Sequence, residues 1–148
     1  MNMTAAISAY NKVGIESGVT AADPHKLISM LYQGALLAIA NAKNGVLRGD
    51  IPAKGKAISH AMLIIGDGLN ASLNKDVGGE LAHNLSSLYD YMIKRLLAAN
   101  LNNDMEALDE VAVLLGGLKE AWDSIRQTAI APPPAPSGQP EQRLYARG

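Results

Sequence analysis

Apolar residues recur at helical spacing along four stretches of this chain. The clearest stripe advances by three or four residues at a time, through Leu108, Val111, Leu115, Leu118, Trp122 and Ile125. Because an α-helix repeats every 3.6 residues, this spacing keeps one face of a helix apolar for about five turns. The pattern therefore predicts a chain that builds a helical core.

The first predicted helix is bounded by a capping pair and by glycine. Asp23 and Pro24 suit an N-cap and the first helical position, because proline lacks an amide that a helix start leaves unpaired. The pattern predicts a helix over residues 24–46 that ends near Gly45 or Gly49. This helix carries two adjacent apolar stripes, namely Leu27, Leu31, Gly34 and Ala38, and beside them Ile28, Tyr32, Leu36 and Ile39.

The next two predicted helices are separated by a turn rich in Asn, Asp and Gly. Asp50 is expected to cap the second helix, with Pro52 in its first turn. Its apolar stripe is Ile58, Met62, Ile65, Leu69 and Leu73. The helix is expected to stop within residues 74–79, whose residue types favour a turn. The third helix is predicted from near Glu80 to about Asn100, with the stripe Leu81, Leu85, Leu88, Met92 and Leu96.

A fourth helix completes the predicted fold. Asn103 and Glu106 have the spacing of a capping box, and the helix is predicted to run to about Thr128. Links of about four to six residues force neighbouring helices to pack antiparallel. The sequence thus predicts an all-α fold, an antiparallel up-down four-helix bundle over residues 23–130.

Both ends of the chain are predicted to lie outside the bundle. Residues 1–22 form an N-terminal arm whose short amphipathic pattern includes Ile7 and Tyr10, and which is too short to be a stable helix alone. Residues 131–148 begin Ala-Pro-Pro-Pro-Ala-Pro and have no helical pattern. We expect them to form a disordered, proline-rich tail.

The apolar surface of the predicted helices exceeds what a simple bundle buries. A helix with apolar residues around most of its circumference is packed against other protein surfaces over most of that circumference. The cover can be the N-terminal arm, a second copy of the chain or a foreign helix, and the pattern leaves these open. Helix-interior glycines cost about 1 kcal/mol each relative to alanine. Close approach between helices or a shallow groove would offset this cost, and ordinary sequence drift is the alternative explanation. These glycines are Gly34, Gly66, Gly68, Gly116 and Gly117.

Composition narrows the class of protein. With 148 residues, 48% of them hydrophobic, the chain suffices for one domain. The absence of cysteine excludes disulfides, Cys-based zinc sites and thiol nucleophiles. A net charge of −1 with scattered Lys and Arg does not indicate a basic patch that would bind nucleic acid. The longest apolar run, residues 34–40, is far short of the roughly 20 residues that cross a bilayer. We expect a cytoplasmic protein that is not inserted in a membrane.

Residue patterns for catalysis are incomplete. Glu80 and His83 have the Glu-x-x-His spacing of di-iron bundles, but residues 24–49 lack the acidic ligands such a site needs. His25, His60 and His83 do not form a zinc-binding pair. An exposed histidine on a helix leaves a phosphotransfer bundle as an alternative. The sequence predicts no enzyme, no metal and no other cofactor.

Ordered motifs indicate a family. The segment Gly78-Gly-Glu-Leu-Ala-His-Asn-Leu-Ser-Ser-Leu-Tyr-Asp-Tyr-Met92, with Glu110-Val111 and Glu120-Ala-Trp122 after it, closely resembles the flagellar secretion chaperones of the FliS family. Ala9-Tyr10 is similar to that family's N-terminal signature, and Pro24-His-Lys-Leu-Ile28 is similar to its first long helix. The resemblance covers about residues 5–128. Gly116-Gly117 departs from it, since helix-favouring polar residues are usual there.

The resemblance implies an export chaperone that binds the C-terminal segment of flagellin in the cytoplasm. Such a chaperone prevents premature polymerisation and helps to deliver flagellin to the export apparatus. The flagellar export gate and flagellar regulatory proteins are further expected partners. A structural homo-oligomeric bundle remains the other alternative. We expect the partner to lie on apolar helix faces and on the arm, at Ile7, Tyr10, Leu27, Ile28, Leu31, Tyr32, Leu69, Leu85, Leu88, Tyr89, Met92 and Leu96.

Overall fold

The structure is a bundle of four helices in which neighbouring helices run antiparallel, as the apolar pattern predicts. The computed structural model describes the backbone of residues 23–130 and the side chains of residues 23–125. Helix α1 spans Pro24–Arg48, α2 spans Ile51–Leu63 and continues as a π-helix over Ile64–Asn70, α3 spans Lys75–Asn102, and α4 spans Met105–Ile130. The predicted four-helix bundle is confirmed. The N-terminal arm and the C-terminal tail lie outside the described residues.

Two of the predicted N-cap residues form the expected capping hydrogen bonds. The Asp23 carboxylate accepts a hydrogen bond from the backbone N–H of Lys26 at 3.1 Å. Asp50 accepts one from Ala53 N–H at the same distance, and so caps α2. Each bond satisfies one of the amides that a helix start leaves without an intrahelical partner. Between these helices Gly49 ends α1 in the left-handed conformation, which turns the chain sharply into α2.

Three boundaries differ from prediction. The second helix was expected to stop within residues 74–79, but it ends with the π-helix at Asn70, and Asn74 instead caps α3 by accepting from the N–H groups of Asp76 and Val77. Asn103 does not cap α4: it closes α3 in the left-handed conformation (φ 53°), and Asp104 accepts from Ala107 N–H at 3.1 Å instead. Asparagine tolerates the left-handed region, so a C-cap was the better interpretation of this residue. Helix α3 begins at Lys75 rather than near Glu80, but Gly79 has non-helical angles (φ 56°, ψ −131°). The first turn of α3 is therefore set off from the regular helix that follows.

A glycine inside α1 permits close packing between helices. A Cβ on Gly45 would lie 2.9 Å from the backbone nitrogen of Lys54, so α1 and α2 touch almost backbone to backbone. A Cβ on Gly66, in the π-helix, would lie 3.4 Å from Cδ1 of Ile93 on α3. Close approach therefore requires glycine at Gly45, whereas the distance at Gly66 is an ordinary contact and does not explain that glycine.

The core is formed by side chains from all four helices. Helix α1 packs against α2 and α4, while α3 packs against α4 and the π-helix. Fully buried side chains from every helix meet inside, among them Leu31, Ile39, Ile58, Ile65, Tyr89, Met92, Leu96, Leu108 and Leu115. At one end, the buried Lys54 donates to the Asn100 carbonyl at 2.8 Å and to Asn103 Oδ1 at 2.5 Å. The α3–α4 turn is thereby fastened to α2.

Candidate partner-binding groove

Polar contacts at one end fix the register between α3 and α4. Glu110 accepts a hydrogen bond from the Tyr91 hydroxyl at 2.6 Å and another from Arg95 Nε at 2.7 Å. Both helices advance about 1.5 Å per residue in opposite directions. The register therefore places residues 77–88 of α3 opposite residues 114–125 of α4.

Along this stretch α3 and α4 carry apolar side chains that the described residues leave exposed. Val77 is 83% exposed, Leu81 67% and Ile125 58%. Half-buried leucines line the interior between these rims, and we call the whole surface the α3–α4 groove: Val77, Leu81, Leu85, Leu88, Leu114, Leu118 and Ile125. Exposed large apolar side chains grouped along two helices are typical of a protein-binding surface.

The Tyr91, Arg95 and Glu110 side chains close one end of the groove. The hydrogen bond from Tyr91, followed by that from Arg95, lowers the pKa of the Glu110 carboxyl. Arg95 also lies 4.0 Å from Asp104 at the start of α4. Since all these groups are near solvent, the cluster contributes modestly to stability and mainly fixes the relative position of the two helices.

The other edge of α4 is attached to α1. The His25 and Trp122 rings stack with centroids 4.4 Å apart and planes 9° apart. His25 Nε2 bonds to the Trp122 carbonyl at 2.8 Å, and Trp122 Nε1 donates to the His25 carbonyl at 2.9 Å. Beside them Ser29 donates to Asp123 at 2.6 Å. Hydrogen bonds from Lys119 and then Ser29 lower the pKa of the Asp123 carboxyl.

Most of the residues predicted to bind a partner lie in the core of the bundle. Buried among them are Leu27, Leu31, Tyr32, Leu69, Tyr89, Met92 and Leu96. Ile28, Leu85 and Leu88 are half-buried, and Leu85 and Leu88 belong to the α3–α4 groove. Ile7 and Tyr10 lie outside the described residues. A direct contact between any of these residues and a partner stays a prediction.

Sequence reasoning did not select the rims of the groove as binding residues. Leu81 and Ile125 both belong to predicted apolar stripes, and the stripe alone gives no reason to treat them differently from its buried members. Val77 falls in the predicted turn. The length of the apolar stripe on α4 could have indicated the groove, because the stripe continues to Ile125, which the other helices leave exposed.

Two buried tyrosines meet across the core without forming a reactive site. The Tyr32 and Tyr89 hydroxyls are 2.6 Å apart and hydrogen bonded. Burial raises the pKa of both phenols, and the neighbouring hydroxyl partly offsets this for Tyr32 but adds to it for Tyr89. Both side chains therefore stay neutral at physiological pH, and their role is to join α1 to α3.

Chemistry-bearing side chains elsewhere are dispersed. Over residues 23–125 no group of His, Asp or Glu side chains has an arrangement that would hold a metal ion. Nor does any helix within the described part of the chain have the length and apolarity needed to cross a membrane. His60 is half-buried on α2, and His83 is exposed on α3.

The fold and the groove define an all-α bundle with an open apolar surface between two of its helices. A family model described as "Flagellar protein FliS" matches residues 6–129. The chain is 50% identical over 129 residues to the flagellar secretion chaperone FliS of Salmonella typhimurium, covering 87% of this chain and 96% of that protein. It is 48% identical over 120 residues to the flagellar secretion chaperone FliSB of Pseudomonas aeruginosa, covering 81% and 94%. The corresponding protein of Bacillus subtilis is 34% identical, covering 76% and 83%. This chain belongs to the FliS family of flagellar secretion chaperones.

Proposed function

We propose that this protein is a cytoplasmic export chaperone that binds the C-terminal segment of flagellin. The observation that carries the proposal is the α3–α4 groove, an apolar surface left open in a chain whose relatives are named flagellar secretion chaperones. An amphipathic helix of the client lies in the groove and contacts its leucines at positions three or four apart. Bound in this way, flagellin is prevented from polymerising early and is delivered to the export apparatus.

The size of the client argues for a second contact surface. Ordering about 40 residues costs on the order of 60 kcal/mol, which corresponds to about 2,400 Å² of apolar burial. A standard interface supplies only about 800 Å² per partner. The α2–α3 face offers further apolar surface, because Leu63 and Leu97 are exposed there and Met62 and Ile93 are half-buried. The client then wraps around α3 and contacts both faces.

The predicted binding residues take two roles in this proposal. Ile28, Leu85 and Leu88 are half-buried and contact the client directly. The buried members support the groove from within the core. The N-terminal arm, residues 1–22, contributes Ile7 and Tyr10 beside the client, whereas the tail, residues 131–148, takes no part. The export gate and regulatory proteins bind the chaperone as further partners.

Calorimetric titration with full-length flagellin and with flagellin lacking its C-terminal segment tests the proposal. We expect binding only to the full-length protein. Leu81→Asp in the groove should weaken that binding by at least about tenfold, or about 1.4 kcal/mol, because a carboxylate would have to be buried against the client. Val113→Asp is the matched control: Val113 is 73% exposed on α4 but points away from the groove.

Three results would contradict the proposal. One is equal binding to the truncated flagellin, and another is equal loss of affinity in Leu81→Asp and Val113→Asp. The third is self-association of the free chain in size-exclusion chromatography that Leu81→Asp abolishes, because the groove would then join two copies of this chain.

A further inference from the structure

Helix α4 is joined to α3 and to α1 by different polar contacts along its length. Its beginning is joined to α3 by Tyr91, Arg95 and Glu110. Arg95 also lies 4.0 Å from Asp104 at the same end of α4. The last described turns of α4 are joined to α1 instead. One edge of the α3–α4 groove is therefore positioned from the far side of α4.

The attachment to α1 consists of contacts that fix both the position and the rotation of α4. We call it the His25–Trp122 clasp and define it as His25, Ser29, Trp122 and Asp123. His25 and Trp122 each bond to the other's backbone carbonyl, at 2.8 and 2.9 Å. Their rings also stack in parallel with centroids 4.4 Å apart. Reciprocal bonds with a parallel stack leave the two backbones little freedom to slide or rotate against each other.

The hydrogen bond and the ring stack hold the His25 side chain in one orientation. Nδ1 of His25 is buried and has no hydrogen-bond partner within the described residues, so the ring is oriented through Nε2 and through the stack. One turn further along α1, Ser29 donates to Asp123 at 2.6 Å, and Asp123 also accepts from Lys119 at 2.7 Å. The clasp therefore extends over a full turn of α1, whereas its two residues on α4 are adjacent.

The groove surface of α4 lies about one helical turn from the clasp on either side. Leu118 precedes Trp122 by four residues, and Ile125 follows it by three. A rotation of α4 that followed loss of the clasp would move both side chains relative to Leu81 and Leu85 on α3. The bonds from Tyr91 and Arg95 to Glu110 lie about three turns of α4 away from Trp122.

We infer that His25 and Trp122 are positioning residues that set the width of the α3–α4 groove without contacting what binds there. The claim about width rests on the contacts of the clasp alone. Its consequence for client affinity rests on the proposed function. Loss of the clasp lets the end of α4 move toward α3, so the exposed leucines cover one another rather than a client.

The width can be measured directly, because the chain has no native cysteine. Asn84→Cys and Glu120→Cys introduce spin labels at exposed positions of α3 and α4, the two helices that border the groove, and pulsed electron resonance gives their separation. We expect His25→Ala to shift this distance by about 2 Å or more, or to broaden its distribution clearly. Lys43→Met is the matched control. It breaks another α1–α4 contact, the Lys43–Asp109 ion pair at 2.5 Å near the opposite end, and should leave the distance unchanged.

A second variant guards against loss of folding. If circular dichroism shows that His25→Ala unfolds the bundle, Trp122→Phe removes the Nε1 donor and keeps an aromatic ring. An unchanged distance in a folded clasp variant, or an equal shift in Lys43→Met, would overturn the inference.

Titration of the unlabelled variants with full-length flagellin gives the second readout. We expect about a tenfold loss of affinity for the clasp variants and none for Lys43→Met. A distance shift without loss of affinity would overturn the link between width and affinity. If the wild-type chain itself binds no flagellin, the proposed function fails, while the distance measurement still decides the role of the clasp.

Discussion

The Tyr32–Tyr89 pair predicts strongly coupled effects of two conservative substitutions. Tyr32 is 4% exposed and Tyr89 2%, and their hydroxyls share a hydrogen bond of 2.6 Å. Removing one hydroxyl leaves the other buried without its partner, which costs about 1 to 3 kcal/mol. Removing both takes away the bond and the unpaired group together. We therefore expect Tyr32→Phe and Tyr89→Phe each to destabilise the bundle, and the double variant to be little worse than either single one.

Urea unfolding followed by circular dichroism measures this coupling as a double-mutant cycle. With single costs of about 2 kcal/mol each and a similar cost for the pair, the coupling free energy is about 2 kcal/mol. All variants should have the same m-value if the folded and unfolded states keep their compactness. Additive costs, with a coupling within about 0.5 kcal/mol of zero, would refute the assignment of a shared buried hydrogen bond.

The same pair predicts a loss of stability in alkaline solution. Burial raises the pKa of both phenols above the ordinary value of 10.0, so the folded state keeps protons that the unfolded state releases. The stabilisation is fully present below pH 10 and is lost as pH rises further, by up to about 1.4 kcal/mol per pH unit for each tyrosine. The double Phe variant should lack this component of the pH dependence, and an identical alkaline profile for both proteins would contradict the reasoning.

Three further predictions concern the last helix and the two ends. Gly116→Ala and Gly117→Ala should each stabilise the bundle by up to about 1 kcal/mol in thermal unfolding, because a Cβ at either position meets no other atom within 4 Å; a loss of stability would show that glycine is needed there. Truncation after Ile130 should leave flagellin affinity unchanged, and a tenfold loss, about 1.4 kcal/mol, would show that the tail takes part. Tyr10→Ala should lower flagellin affinity by about 1 to 3 kcal/mol in calorimetry without loss of helicity, whereas wild-type affinity in a folded variant would exclude a role for this residue.

How far the sequence predicts the fold depends on whether the signal is local. Asp23 and Asp50 cap helices through side chains that act within three residues, so their roles follow from the sequence. The Asn103 capping box was wrong because the same residue suits two adjacent positions, and the backbone conformation decides between them. The π-helix was missed because an apolar stripe indicates which face of a helix is buried but not how wide its turns are.

The candidate site depends still more on tertiary structure. Periodicity identifies Leu85, Leu88 and Leu118 as apolar helix positions, but only the register between α3 and α4 places them along one groove. The clasp was missed for the same reason. His25 and Trp122 are 97 residues apart, and nothing in either segment indicates that they stack.

The groove is a continuation of the core rather than a separate surface. Along α4 one apolar stripe begins with Leu108, which is fully buried, passes through the half-buried Leu118 and ends at the exposed Ile125. The hydrophobic driving force is the same at each position, and what changes is whether another helix is present to receive the side chain. A client helix laid between α3 and α4 would supply that missing neighbour. This explains why a sequence pattern that predicts the core also contains the proposed binding residues, and why the pattern alone does not separate the two.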